Sequence, residues 1–213
     1  MPVLAYILVA VAAYLLGSIP TGFLVAKAKG IDIRKTGSGN IGATNAMRVL
    51  GKPAGIFVLL ADAAKGFAAC TWLVNFLTSF IKFDFSLEQI AWLQILAGIF
   101  AVLGHNYTCW LKFKGGKGIA TTAGVYLALA PWALLVALAV FILAILVTKY
   151  VSVGSIAGAI ALPAMVWVMT PHNLFFGIVT TALGALAIYK HKSNIQRLLA
   201  GTENRLGQKK ELK

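Results

Sequence analysis

The chain has 213 residues, of which 60% are hydrophobic and 12% charged, with a net charge of +13 and a mean hydropathy of +0.85. Soluble domains carry roughly 45–50% apolar and about 25% charged residues, so a water-soluble globule is excluded and an all-α, polytopic membrane helix bundle, one domain over residues 1–213, is predicted. The basic excess does not point to nucleic acid, because its residues flank apolar runs as those of cytoplasmic loops and lipid-facing segments do.

The first uncharged run, Val3–Ala26, is too long for a signal-peptide core, has no basic residue before it and ends without a small-x-small cleavage site. It reads as a retained span with Pro20 near its cytoplasmic end. The polar stretch "GIDIRKTGSGNIGATNAMR", Gly30–Arg48, follows. Its glycines, Ser38, Asn40, Thr44 and Asn45 suit neither lipid contact nor a helix. Gly37-Ser38-Gly39-Asn40 fits the alternating backbone of an anion-binding nest of N–H groups, and Arg48 offers a planar fork for a phosphate. An ordinary linker is the plainer alternative, since loops collect Gly, Ser and Asn.

A second span is predicted from about Pro53 to Phe80, with Asp62 and Lys65 inside it. A charge at the bilayer centre costs about 2.5–3.5 kcal/mol on insertion scales. Opposite charges at i and i+3 therefore read as a mutually neutralising pair bracing the helix beneath the first loop. The loop Ile81–Glu88 leads to a third span, Gln89–Leu111, and then to "LKFKGGKGIATT", Leu111–Thr122. Here Lys114, Gly115, Gly116, Lys117 and Gly118 form a second candidate cradle. Glycines let backbone approach a ligand, and a helix starting near Gly118 turns its first N–H groups and positive dipole end to a phosphate beside Lys117. It is not a P-loop, because glycine follows Lys117. His105, just before this stretch, and His172 are weaker candidates. Cys70 and Cys109 lack zinc-type spacing and say little.

Ile119–Thr148 is either one long helix or two short spans broken at Ala130-Pro131. Parity decides. One crossing leaves Lys149 and the basic tail Lys190–Lys213 on the face opposite Lys27–Lys52. Two crossings return every Lys and Arg except Lys82 to one side or towards it, as the positive-inside rule requires. With Val151–Tyr189 divided at Thr170–Asn173, the prediction is seven transmembrane helices, N-terminus out and C-terminus cytoplasmic. The last span runs into "KHKSNIQR", Lys190–Arg197, where His191, Asn194 and Arg197 are three apart and share a helix face. For His191 alone, an interfacial snorkelling histidine is the plainer reading.

The stretches "GSGNIGATNAMR", "LGHNYTCWLKFKGGKGIAT" and "KHKSNIQRLLAGTE" together resemble the three signature loops of the bacterial membrane-integral acyl-phosphate:glycerol-3-phosphate acyltransferases. The likeness runs in order over nearly the whole chain, although Asn106 to Cys109 is more polar than that pattern. It implies acyl transfer from an acyl phosphate to the 1-hydroxyl of glycerol 3-phosphate, giving lysophosphatidic acid and phosphate, with no metal or other cofactor. It implies a multi-pass protein of the bacterial inner membrane, active site facing the cytoplasm, in contact with membrane lipids and supplied by a soluble enzyme that makes acyl phosphate. By motif position, Ser38, Arg48, Lys117, His191 and Asn194 line the reaction centre. Gly37, Gly39, Asn40, Asn45, His105, Lys114, Gly115, Gly116, Gly118 and Arg197 hold substrate or phosphate. The other glycerol-phosphate acyltransferases use His-x4-Asp, and no histidine here has Asp five residues later.

The reading from residues agrees with that implication. Two phosphate-bearing substrates account for two glycine-rich anion sites with Arg and Lys clamps, and a mixed anhydride needs no covalent enzyme intermediate. The rival reading is a small-anion transporter with glycine-broken helices at the midplane, but the last three spans carry few polar residues and no inverted repeat is visible.

Overall fold

The computed structural model describes residues 2–81 and 83–207. Lys82 and the last lysines of the tail, which enter the charge argument above, lie outside the described residues. Among the described residues every regular element is helical, as predicted. The chain forms two compact units, Met1–Pro131 and Trp132–Lys213.

In the first unit, α1 (Pro2–Ser18) and α2 (Thr21–Ala28) are two pieces of one apolar run. They part at Ile19-Pro20, because proline lacks an N–H and clashes with the preceding turn. α3 (Ala43–Leu50) corrects the expectation that Thr44 and Asn45 avoid helix. Gly42 in an extended conformation starts it and Gly51 at φ +94° ends it. One of its faces is apolar enough to repay the local propensities by packing. α4 (Lys52–Ala68) passes through a π-turn, Ala69–Leu73, into α5 (Val74–Phe80). α6 (Leu87–Asn106) opens on a capping box in which Ser86 accepts from the Gln89 amide and Gln89 from the Ser86 amide. α7 (Ile119–Leu129) completes the unit.

Apolar burial does not drive helices together in lipid, so close backbone packing has to. α1 meets α6 through Gly17 and Gly104, where an added Cβ would strike the Ala101 backbone and the Tyr14 carbonyl. α4 meets α7 through Gly66 and Gly124, which face the Thr121 and Ala63 carbonyls. Ala5, Val9, Ala13, Leu93, Ala97 and Ala101 fill the α1–α6 seam.

The second unit holds α8 (Pro131–Thr148), α9 (Val151–Met169), α10 (Leu174–Lys190) and α11 (Lys192–Leu199). Pro131 begins α8, where its missing N–H costs nothing, so the ambiguous run is broken where parity required. Asn173 caps α10 by accepting from the Phe176 amide at 3.0 Å. α9 packs on α10, with Trp167 Nε1 donating to Thr181 Oγ1 at 3.0 Å.

Among the described residues, five helical stretches are long and apolar enough to cross a bilayer, and a sixth if α10 and α11, bent by 52°, count as one. α7 is apolar but shorter. This is an integral membrane protein.

Candidate active site

The first loop is organised around one buried side chain. Asn45 on α3 is 1% exposed. Its Oδ1 accepts from the Ser38 amide at 2.9 Å, and its Nδ2 donates to the carbonyls of Ile33, Thr36 and Asn40 at 3.3, 3.0 and 2.8 Å. Asn45 therefore stitches the loop together. Gly37 and Gly39 take φ of +65° and +71°, the left-handed steps a nest needs, but the Ser38 amide is given to Asn45 Oδ1 and the Gly39 amide to the Thr36 carbonyl at 3.1 Å. Asn40 folds back to accept from the Gly42 amide at 2.8 Å. Ser38 and Arg48 stand exposed on this scaffold. Arg34 is already engaged: Nε and Nη2 each lie 2.9 Å from the Asp32 carboxylate, whose pKa falls to about 2 chiefly through that bond.

The second loop departs from expectation in one respect. Gly115 and Gly116 donate their amides to the Asn106 and His105 carbonyls, at 3.2 and 3.0 Å. These glycines thus serve a close approach to the end of α6, where a Cβ on Gly116 would run into the His105 ring. Gly118, at φ +85°, starts α7, whose first N–H groups have no acceptor within their own helix. Lys117 beside it is half-buried, and Lys114 is exposed. Leu111 lies in one core cluster with Ile33, Ile41 and Ala46, which ties the base of this loop to that of the first.

Beneath both lies a buried polar network. Lys65 Nζ sits 2.9 Å from Asp62 Oδ1, so the predicted pair forms, and it also donates to the Ile19 carbonyl at 2.9 Å. The Pro20 break deprives that carbonyl of its i+4 donor, and it also accepts from the Thr21 amide at 3.1 Å. Asp62 Oδ1 accepts from Thr21 Oγ1 at 3.1 Å and lies 3.7 Å from His105 Nδ1. The polar Asn106–Cys109 segment belongs to the same repair: Thr108 donates to the Ser18 carbonyl at 2.6 Å, and Tyr14 donates to the Tyr107 carbonyl at 2.7 Å.

In the second unit, His191 caps the junction of α10 and α11 and is 2% exposed. Its Nδ1 lies 2.7 Å from the Ala187 carbonyl. A carbonyl only accepts, so the neutral ring carries its proton on Nδ1. Asn194 and Arg197 share a helix face as predicted, but that face meets Glu203, which sequence reasoning passed over. Asn194 Nδ2 donates to Glu203 Oε1 at 2.7 Å, Arg197 Nε to Oε2 at 2.6 Å and Ser152 Oγ to Oε1 at 3.1 Å. Burial raises the Glu203 pKa, and the bonds from Asn194 and Arg197 outweigh that and hold it below the usual range. An acid six residues beyond Arg197 in a basic tail was the available signal.

The glycerol-3-phosphate acyltransferase family model matches residues 7–201. Glycerol-3-phosphate acyltransferases of Geotalea daltonii and Clostridioides difficile are each 46% identical to this chain, over 93% and 99% of it and 96% and 100% of their own lengths. Two crystal structures of PlsY, an integral membrane glycerol 3-phosphate acyltransferase, superpose on it. The glycerol 3-phosphate form gives a TM-score of 0.81 at 41% identity, covering 95% of this chain and 96% of that one. The lysophosphatidic acid form gives 0.78 at 40% identity, covering 95% of each. At such identity and coverage the chain belongs to the glycerol-3-phosphate acyltransferase family.

Proposed function

We propose that this protein transfers a fatty acyl group from an acyl phosphate to the 1-hydroxyl of glycerol 3-phosphate, releasing lysophosphatidic acid and phosphate as the first step of bacterial phospholipid synthesis. The observation that carries the reading is the end-to-end likeness to an enzyme whose structures are of glycerol 3-phosphate and lysophosphatidic acid forms. The 1-hydroxyl oxygen forms a bond to the acyl carbon, the bond from that carbon to the phosphate oxygen breaks, and the hydroxyl proton leaves to a base. The donor is an activated anhydride, so positioning and charge stabilisation suffice. A soluble enzyme that makes acyl phosphate supplies it.

In this reading Ser38 hydrogen-bonds the nucleophile or the acyl carbonyl, and Arg48 and Lys117 offset phosphate charge. His191 and Asn194 position substrate, with Arg197 behind them. The exposure of Ser38 and Arg48 and the α7 N-terminus beside Lys117 support these roles. Gly37, Gly39 and Asn40 shape the first anion site, and Lys114, Gly115, Gly116 and Gly118 the second. Seven spans in one domain, with α7 crossing as a short helix, put the N-terminus outside and the three loops on the cytoplasmic side of the inner membrane. The placement of the basic residues supports this orientation. Purified protein given palmitoyl phosphate and labelled glycerol 3-phosphate is expected to yield labelled lysophosphatidic acid. Absence of that product from active-donor assays rejects the reading.

A further inference from the structure

The buried charges of α4 have no part in the reaction just described, yet they lie against the loop assigned to a phosphate. Asp62 is 2% and His105 6% exposed. The His105 ring stands between two things. Its Nδ1 edge faces Asp62 Oδ1 at 3.7 Å, and its Nε2 edge lies where a Cβ of Gly116 would be. The His105 carbonyl meanwhile receives the Gly116 amide at 3.0 Å. Gly116 is thus held by His105 through backbone and ring together, one residue before Lys117 and two before the start of α7. A displaced ring moves the loop, and a misplacement of about 1 Å costs on the order of 10²-fold when it reaches a reacting group.

We propose that Asp62 is a positioning residue for the phosphate site of the second loop and acts through His105. The carboxylate holds the imidazole, and the imidazole holds Gly116 and with it Lys117 and the first amides of α7. Lys65 and Thr21 keep the carboxylate in place: Lys65 balances its charge at 2.9 Å, and Thr21 donates to the same oxygen at 3.1 Å. A pair that only braced the bundle would need no contact with the loop. This one touches the break in the first span through Lys65 and the Gly–Lys loop through His105. The inference rests on the acyltransferase reading and adds to it a residue that touches neither substrate.

The test is steady-state kinetics on purified protein, with glycerol 3-phosphate and palmitoyl phosphate varied in turn, for wild type, Asp62→Asn, His105→Phe and the double variant. Phenylalanine keeps the ring's bulk and removes the nitrogen that faces Asp62, and it leaves the Asp62–Lys65 pair intact. Rates are normalised to monodisperse protein. Each single variant is expected to raise the KM of one phosphate substrate about tenfold, with the other within about twofold, and the double variant to add little to the larger single effect. Asp62→Asn leaves Lys65 as a buried charge without its partner and is prone to misfold; His105→Phe then decides alone by the same KM criterion. Unchanged KM values for both substrates with only kcat or yield reduced, or additive effects in the double variant, overturn the proposal. A wild type that makes no lysophosphatidic acid overturns the acyltransferase reading as well, whereas an active wild type with KM-silent variants overturns this inference alone.

Discussion

The carboxylate of Glu203 lies 2.6 Å from Arg197 Nε and, through its other oxygen, 2.7 Å from Asn194 Nδ2. The third polar stretch is therefore held from within the second unit, by an acid whose side chain is only 7% exposed. Glu203→Ala leaves Arg197 and Asn194 without that partner. It is expected to cost on the order of 1–3 kcal/mol, the range for stranding charge-assisted hydrogen bonds, and to lower Tm in detergent. Because the folded Glu203 pKa is depressed, its stabilisation is present above the ordinary carboxyl range and lost as pH falls through the lowered value. Tm of the wild type should fall more steeply in acid than that of Glu203→Gln. Parallel acid limbs would mean that Glu203 does not carry this dependence.

Gly116 has no room for a methyl group, since the His105 ring occupies the site. Gly116→Ala is expected to weaken binding of a phosphate substrate severalfold and to lower Tm slightly. Lys117→Ala keeps the fold and should lose on the order of 10²-fold in kcat, the scale for one preorganised charge-stabilising donor. Kinetics like those of the wild type in both variants would reduce these lysines and glycines to topology.

Orientation is checked by cysteine labelling in a background free of Cys70 and Cys109. Ser86 caps α6, so replacing it costs about 1 kcal/mol, and exposed Asp84 in the same loop is the better probe. Asp84→Cys should react from outside intact cells, and Ser193→Cys, exposed on α11, only after permeabilisation. External labelling at 193 sinks the count of seven.

His191 offers the remaining question, which group takes the proton. Its Nδ1 is committed to the Ala187 carbonyl, and Lys190, Lys192 and Arg197 crowd it in sequence, which favours orienting a phosphate. The second ionisation of a phosphate monoester lies near pH ~6, so glycerol 3-phosphate brings its own base. His191→Gln should retain substantial activity with the acidic limb of the kcat profile preserved. A loss of about 10⁴-fold in both His191→Gln and His191→Ala, with that limb gone, would identify His191 as the base.

Features governed by short-range rules were readable without coordinates. Pro131 and the Thr170–Asn173 turn each interrupt an apolar run where predicted, because proline and turn residues act on their own backbone. The break at Pro20, inside a run read as one helix, obeys the same rule and was not drawn from it. The Asp62–Lys65 pair was legible for a similar reason, since i,i+3 neighbours on a helix meet. What escaped depends on partners beyond one helical turn. Glu203 is held by Asn194 and Arg197 across a chain reversal and by Ser152, 51 residues away. The Gly115 and Gly116 amides are taken by the end of α6, a pairing that no local pattern announces. α3 forms despite Thr44 and Asn45 because Ala46 packs with Val58 and Ile41 in a shared cluster, and tertiary contact overrides propensity there.

The lysine that satisfies the Ile19 carbonyl has a consequence for how the protein is made. α4 carries Asp62 and Lys65 into the bilayer, and each is unfavourable there by about 2.5–3.5 kcal/mol when its helix meets lipid alone. α1 and α2 carry a break at which the Ile19 carbonyl loses its i+4 donor and is left with the Thr21 amide at 3.1 Å, a weak arrangement for hydrocarbon. Each segment supplies what the other lacks: Lys65 for the broken backbone, and Ile19 and Thr21 for the charges. The first two spans are therefore better released from the translocon as a hairpin than one after the other, and the break and the ion pair must be inherited together.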